Sequence, residues 1–207
     1  MRVILGIGNP GLDYAGTRHN CGFFVVDALQ PLVGDGWTKQ KKWSALIAKG
    51  RLAEQDVLLV KPQTYVNRSG ATAQALCAFY KIAPAELLVV VDDIHLPLGH
   101  LRLRAQGSSG GHNGLKDIEA RLGRAYPRLR LGIGGPTHDQ IDHVLGRFDT
   151  DEQPIARDMI SKAGEACLAW LREGPEAAMR FNGPVHPPAP QPRAATDEDP
   201  PAEDQET

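Results

Sequence analysis

Leu87-Leu-Val-Val-Val91-Asp92-Asp93 is the stretch on which the fold turns. Its first five residues are an uninterrupted apolar run. Such runs are typical of central strands buried on both faces of a sheet. The acids that stop the run lie at its C-terminal end. That is where ligand crevices form in α/β sheets.

Upstream, Val3–Ile7 is a second strand of the same kind, apolar, β-branched and stopped by glycine. The loop stretch Gly6–Asn20 follows. It carries an amide (Asn9), an aromatic hydroxyl (Tyr14), a cation (Arg18) and a titratable base (His19). Phe23–Leu32 reads as a helix covering the sheet, although Phe23–Val26 alone would suit a strand. Trp37–Lys42 is a basic loop. Ala45–Lys49 and Val57–Lys61 are neighbouring strands, Pro62–Asn67 is a loop, and Ala71–Lys81 is an amphipathic helix that Pro84 ends.

Downstream, Leu101-Arg102-Leu103-Arg104 alternates as a strand with one wet, basic face. Gln106–Gly114 is a glycine-rich loop before a helix with Leu115, Ile118 and Leu122 on one face and Gly123 as its stop. Leu129–Ile133 is a strand, on which Arg128 and Arg130 alternate. Thr150–Gln153 has the form of a capping box before a helix whose stripe includes Ile155, Met159, Ala163 and Trp170. These elements add up to one α/β domain: a twisted, mixed, mostly parallel sheet flanked by helices.

The chain has 207 residues, 42% hydrophobic and 23% charged, which suits one globular core. No run has the ~20 apolar residues of a membrane helix, and no signal peptide is expected. Cys21, Cys77 and Cys167 are odd in number and widely spaced. They suggest neither a disulfide framework nor a metal site, and they fit a reducing cytoplasm. The net charge is −2, yet residues 183–207 hold one base and six acids. That leaves +3 on residues 1–182. The expected division is a catalytic domain over 1–182 and a disordered, proline-rich acidic tail over 183–207, which has seven of the sixteen prolines.

Four sets of groups can carry chemistry. Gly6-Ile-Gly-Asn-Pro-Gly11 matches a dinucleotide-binding pattern, but the helix that must open at those glycines is missing. The plainer reading is a tight turn that lets the backbone approach something closely. His19 gains interest from Asp92. If their strands are parallel neighbours, the carboxylate can hold one imidazole nitrogen while the other faces a water, as a general base requires. Asn9, Asn67 and Asn113 lie at the expected rim of one crevice; each is also a plausible turn former, and Asn113 a helix cap. Arg102, Arg104, Arg128 and Arg130 form either a phosphate-binding face or an ordinary polar sheet edge.

Six segments resemble the bacterial-type peptidyl-tRNA hydrolases. They are Gly8–Gly11 with Tyr14, Thr17–Asn20, Pro62–Gly70, Val91–Gly99, Gly110–Lys116 and Arg128–Gly134, in that family's order over roughly 2–182. The resemblance implies hydrolysis of the ester between a peptide and the 3′-terminal ribose of tRNA, without metal or cofactor, by a cytoplasmic monomer with no obligate protein partner. It places catalysis on His19 and Asp92, substrate binding on Asn9, Tyr14, Asn67 and Asn113, and the tRNA's 5′-phosphate end on Arg104 and Arg130. The family often has an aspartate where this chain has His95, and an apolar or small residue at Cys21. A splicing-type RNA-binding module and a dinucleotide oxidoreductase are the rival expectations.

Overall fold

β1 (Arg2–Gly6) and β5 (Leu87–Asp93) lie side by side and parallel, with Val3 opposite Leu87 and Gly6 opposite Val90. They are the centre of a computed structural model that describes residues 1–135 and 139–186. The other strands are β2 (Thr38–Gln40), β3 (Ala45–Leu52), β4 (Gln55–Pro62), β6 (His100–Arg104), β7 (Arg128–Gly132) and β8 (Gly183–Pro184). They form one sheet in the order β2-β3-β4-β1-β5-β7-β6-β8. The middle four, β4, β1, β5 and β7, run parallel, and both edges are antiparallel.

Among the described residues six α-helices accompany the sheet: α1 (Cys21–Val33), α2 (Ser69–Tyr80), α3 (Asn113–Leu122), α4 (Gln140–Leu145), α5 (Gln153–Glu173) and α6 (Pro175–Ala178). Side chains along a strand point alternately to opposite faces, so each central strand feeds two cores. Ile4, Leu88, Val90, Leu129 and Leu131 pack with Val25, Val26, Met159 and Trp170 of α1 and α5. Val3, Leu5, Leu58, Val60, Val89 and Val91 pack with Leu76 of α2 and with Leu115 and Ile118 of α3. Among the described residues no helix is long and apolar enough to cross a membrane.

The glycines after β1 bring α1 onto the sheet. A Cβ on Gly6 would lie 2.2 Å from the Gly22 carbonyl oxygen, and one on Gly22 would lie 2.4 Å from the Val90 oxygen. A Cβ on Gly8 would meet the Asn20 side chain and the Phe23 ring at 2.8 Å. These glycines admit a helix, which leaves no cradle for a dinucleotide. Phe23–Leu32 is helical, and α1 begins two residues earlier than its apolar pattern suggests.

Several sequence expectations change. The basic loop 37–42 contains β2, which is short and polar and is held by backbone pairing to β3. Asp92 and Asp93 belong to β5, because they still pair with Leu131 and Gly132. Thr150–Gln153 makes no capping box. Asp149 donates its N–H to Glu152 Oε2 at 2.9 Å, and α5 starts at Gln153 with Pro154 in its first turn. Arg128 and Arg130 are buried, unlike Arg102 and Arg104 of β6. β7 is an interior strand, and the carbonyls of Gly107 and Ser108 close over its arginines. The 182/183 boundary also moves: Gly183–Pro184 pairs with β6, and Val185 N–H donates to Gly99 O. Two residues can add to an edge through backbone bonds alone, without apolar content. Residues 187–207, where the remaining tail expectation falls, lie outside the described residues.

Candidate active site

A turn of 3₁₀-helix, Arg18–Asn20, leads into α1 and places His19 at the carboxyl end of β5. Two buried neighbours fix this turn. Arg18 pairs with Glu152, lies over the Phe148 ring at 5.3 Å and donates its backbone N–H to Gly146 O. Asn20 accepts from Asn9 N–H at 2.7 Å and donates to Tyr14 O at 2.8 Å, so it clamps the preceding loop. His19 therefore approaches its partner from a braced segment.

That partner is Asp92. His19 Nδ1 lies 3.0 Å from both carboxylate oxygens. A second imidazole, His112, brings Nε2 to 3.3 Å from Asp92 Oδ1. His112 is the N-cap of α3, and its Nδ1 accepts from the N–H groups of Gly114 (3.2 Å) and Leu115 (3.3 Å). An Nδ1 that accepts leaves the proton on Nε2, so His112 donates to Asp92. An Asp92 carboxylate in turn fixes the His19 proton on Nδ1 and leaves the His19 Nε2 lone pair free.

The electrostatics follow from this arrangement. Burial alone would lower the His19 pKa, but the charge of Asp92 and the hydrogen bond to it outweigh burial and raise it above the ordinary imidazole value. Burial pushes the Asp92 carboxyl the other way, yet the imidazoles of His112 and His19 hold it well below the ordinary carboxylate range. Cys21, fully buried behind the pair, has its thiol pushed well up by burial and by Asp92. Such a thiol is a poor nucleophile at neutral pH.

His19, Asp92 and His112 bring one possible metal-ligand atom each within 4.8 Å of one another. The donor set does not fit a metal. His112 Nδ1 is committed to two backbone N–H groups, and its Nε2 has no lone pair while it carries the proton. The cluster is built to hold protons.

A cavity of about 400 Å³ opens on these residues. Asn113, Lys116, Asp93, His95 and Arg130 also line it, with Ile141 and Val144 of α4 on one side. Of the residues singled out from sequence, it gathers His19, Asp92, Asn113 and Arg130. Asn113 is the first residue of α3, while His112 does the capping, so the amide is free for other work. Asn9 is buried alongside, its Oδ1 accepting from Val66 N–H at 3.0 Å. That bond joins it to the turn holding Asn67, which is exposed. Tyr14 stands edge-on to Tyr65, ring centroids 6.4 Å apart. Asn9, Asn67 and Tyr14 do not line the 400 Å³ cavity.

Arg104 lines a second cavity of about 310 Å³ together with Arg102, Arg128 and Arg130. Arg130 bridges the two spaces. Its guanidinium pairs with Asp93 Oδ2 at 2.9 Å and donates to Ser108 O at 2.8 Å. His112 and Lys116 are the site residues that sequence reasoning passed over. A histidine directly before a helix, behind two glycines, was the available signal.

Residues 3–188 match the profile of a family described as Peptidyl-tRNA hydrolase. A Chloroflexus aurantiacus peptidyl-tRNA hydrolase is 48% identical over 189 residues, covering 89% of this chain and 100% of its own. One from Synechococcus sp. (strain JA-3-3Ab) is 46% identical over 186 residues, covering 88% and 83%. The crystal structure of the Acinetobacter baumannii peptidyl-tRNA hydrolase superposes with a TM-score of 0.83 at 37% identity, covering 89% of this chain and 95% of that one.

Proposed function

Since this chain belongs to the peptidyl-tRNA hydrolase family and hydrolyses peptidyl-tRNA, we propose that His19 is the general base of that reaction and Asp92 the group that orients it. One observation carries the reading: His19 Nδ1 lies 3.0 Å from a buried carboxylate, in a cavity large enough for the end of a substrate. His19 Nε2 takes a proton from water while the water oxygen attacks the ester carbonyl carbon. The carbon–oxygen bond to the 3′-terminal ribose then breaks, and the ribose oxygen leaves with the proton that His19 returns. A peptide acid and a tRNA with its hydroxyl restored are the products. Asp92 stabilises the imidazolium between the two transfers.

Asn113 and the Asn9 amide supply neutral donors for the substrate's carbonyls, and one donor on the developing oxyanion is worth about 3 kcal/mol. Asn67, on the turn that the Asn9–Val66 bond holds, and Tyr14, edge-on to Tyr65, extend the site toward the peptide. Arg104 and Arg130 receive phosphate of the tRNA. On this reading the catalytic body, which includes the short strand at Gly183–Pro184, works as a cytoplasmic monomer without an obligate protein partner.

His19→Ala is the test, with hydrolysis of peptidyl-tRNA and the thermal midpoint measured together. Turnover falls by about 10²- to 10⁴-fold, the range of a lost general base, while the midpoint stays near that of the parent. A His19→Ala protein with full turnover would sink this mechanism.

A further inference from the structure

The two cavities share a border made by Asp93, His95, Gly110 and Arg130. One holds His19 and Asp92; the other is walled by Arg102, Arg104, Arg128 and Arg130. On the reading above, the ester lies in the first and the tRNA's 5′ phosphate in the second, so the 3′ strand that leads from the ester to the acceptor stem passes over this border. His95 stands there, exposed, its backbone N–H fixed by Asp93 Oδ1 at 2.8 Å. We propose that His95 is a substrate-binding residue, whose imidazole holds a backbone phosphate of the tRNA's 3′ end between the two cavities.

The surrounding charges favour an anion at this point. The charged and titratable groups that line the two spaces are Asp92 and Asp93 of β5, His19, His112 and Lys116, Arg102 and Arg104 of β6, and Arg128 and Arg130 of β7. Both acids are already engaged, Asp92 by two imidazoles and Asp93 by Arg130. Among the described lining residues, no free carboxylate competes for a charged His95. An imidazole also gains or loses its charge across the physiological pH range, which a fixed arginine does not. A phosphate contact made by an imidazole therefore weakens as pH rises.

The experiment is the KM and kcat of peptidyl-tRNA hydrolysis from about pH 6 to about pH 8, for the parent, His95→Asn and His95→Lys. The parent KM rises several-fold over that span. His95→Asn has a flat, high KM, and His95→Lys a flat, low one. The His19–Asp92 pair is unchanged in all three proteins, so kcat keeps one common profile. A His95→Asn protein that keeps the parent's KM profile overturns the proposal, as does a loss confined to kcat. His95→Phe separates charge from ring stacking: a low KM at high pH with phenylalanine overturns the phosphate contact. Arg104→Ala tests the underlying reading independently. An unchanged KM there removes the phosphate cavity, whatever His95 does.

Discussion

Asp92 accepts from two histidines that do different work. His19 is part-exposed and has a free nitrogen; His112 has both nitrogens occupied, one by Asp92 and one by the start of α3. The raised His19 pKa has a sign that can be worked through. A general base is active only when neutral, so kcat falls on the acid side with a midpoint above the ordinary imidazole value of about 6.5. In Asp92→Asn the charge is gone and burial acts unopposed, so that midpoint shifts to lower pH. The amide also turns an N–H toward an imidazole N–H, which costs orientation. Turnover at the plateau drops by roughly 10²-fold or more, and the pH–kcat profile checks both effects. An acid limb that stays in place would mean that Asp92 does not set the His19 pKa.

Asp92 was legible in the sequence because an apolar strand gives way to polar residues there, and His19 because its loop follows a second such strand, a parallel neighbour of the first. His112 was not. Its meaning depends on α3 packing so that one ring nitrogen meets backbone N–H groups and the other meets β5. The capping role that Asn113 alone suggested thus falls to its neighbour.

The element that most narrowly fits its place is α1. Its first turn rests on backbone: a Cβ on Gly22 would lie 2.4 Å from Val90 O and 2.5 Å from Ile7 N. Neither neighbour is a flexible side-chain end that can swing aside. Gly22→Ala lifts α1, and with it His19 two residues before the helix, from the central strands. Overpacking of this kind costs about 3 kcal/mol, read as a lower urea midpoint. Gly36→Ala is the control; nothing lies within 4 Å of its Cβ, so its midpoint stays within about 0.5 kcal/mol of the parent. Equal midpoints for both variants would contradict the close approach. Long apolar strands were readable because burial on both faces imposes the pattern. β2 and β8 were not, because three and two residues pair through backbone groups that every sequence has. Period-two alternation gave the wrong exposure for Arg128 and Arg130, since it cannot say whether a polar face meets water or loop carbonyls.

For the whole molecule, charge is distributed rather than large. The net −2 combines +3 on residues 1–182 with −5 beyond, and four arginines converge on one cavity beside the one that holds His19 and Asp92. A nucleic-acid ligand held there releases counterions, so KM rises with salt. Each phosphate contact contributes a slope of about 0.7–0.9 in the logarithmic plot. Arg104→Ala lowers that slope by roughly one such contact while leaving kcat unchanged, as measured by steady-state hydrolysis across salt concentrations. A slope identical to the parent's would take Arg104 out of the interface.

The ends of the sheet have a consequence of their own. A long, flat outer strand offers a row of unpaired N–H and C=O groups to any other copy of the chain. Here one margin is Thr38–Gln40, with exposed Lys39, and the other is Gly183–Pro184, whose proline has no N–H to donate. These two strands themselves offer a second chain few groups to pair with. The same short, irregular strands that hid from sequence reading thus guard the parallel centre against edge-to-edge aggregation.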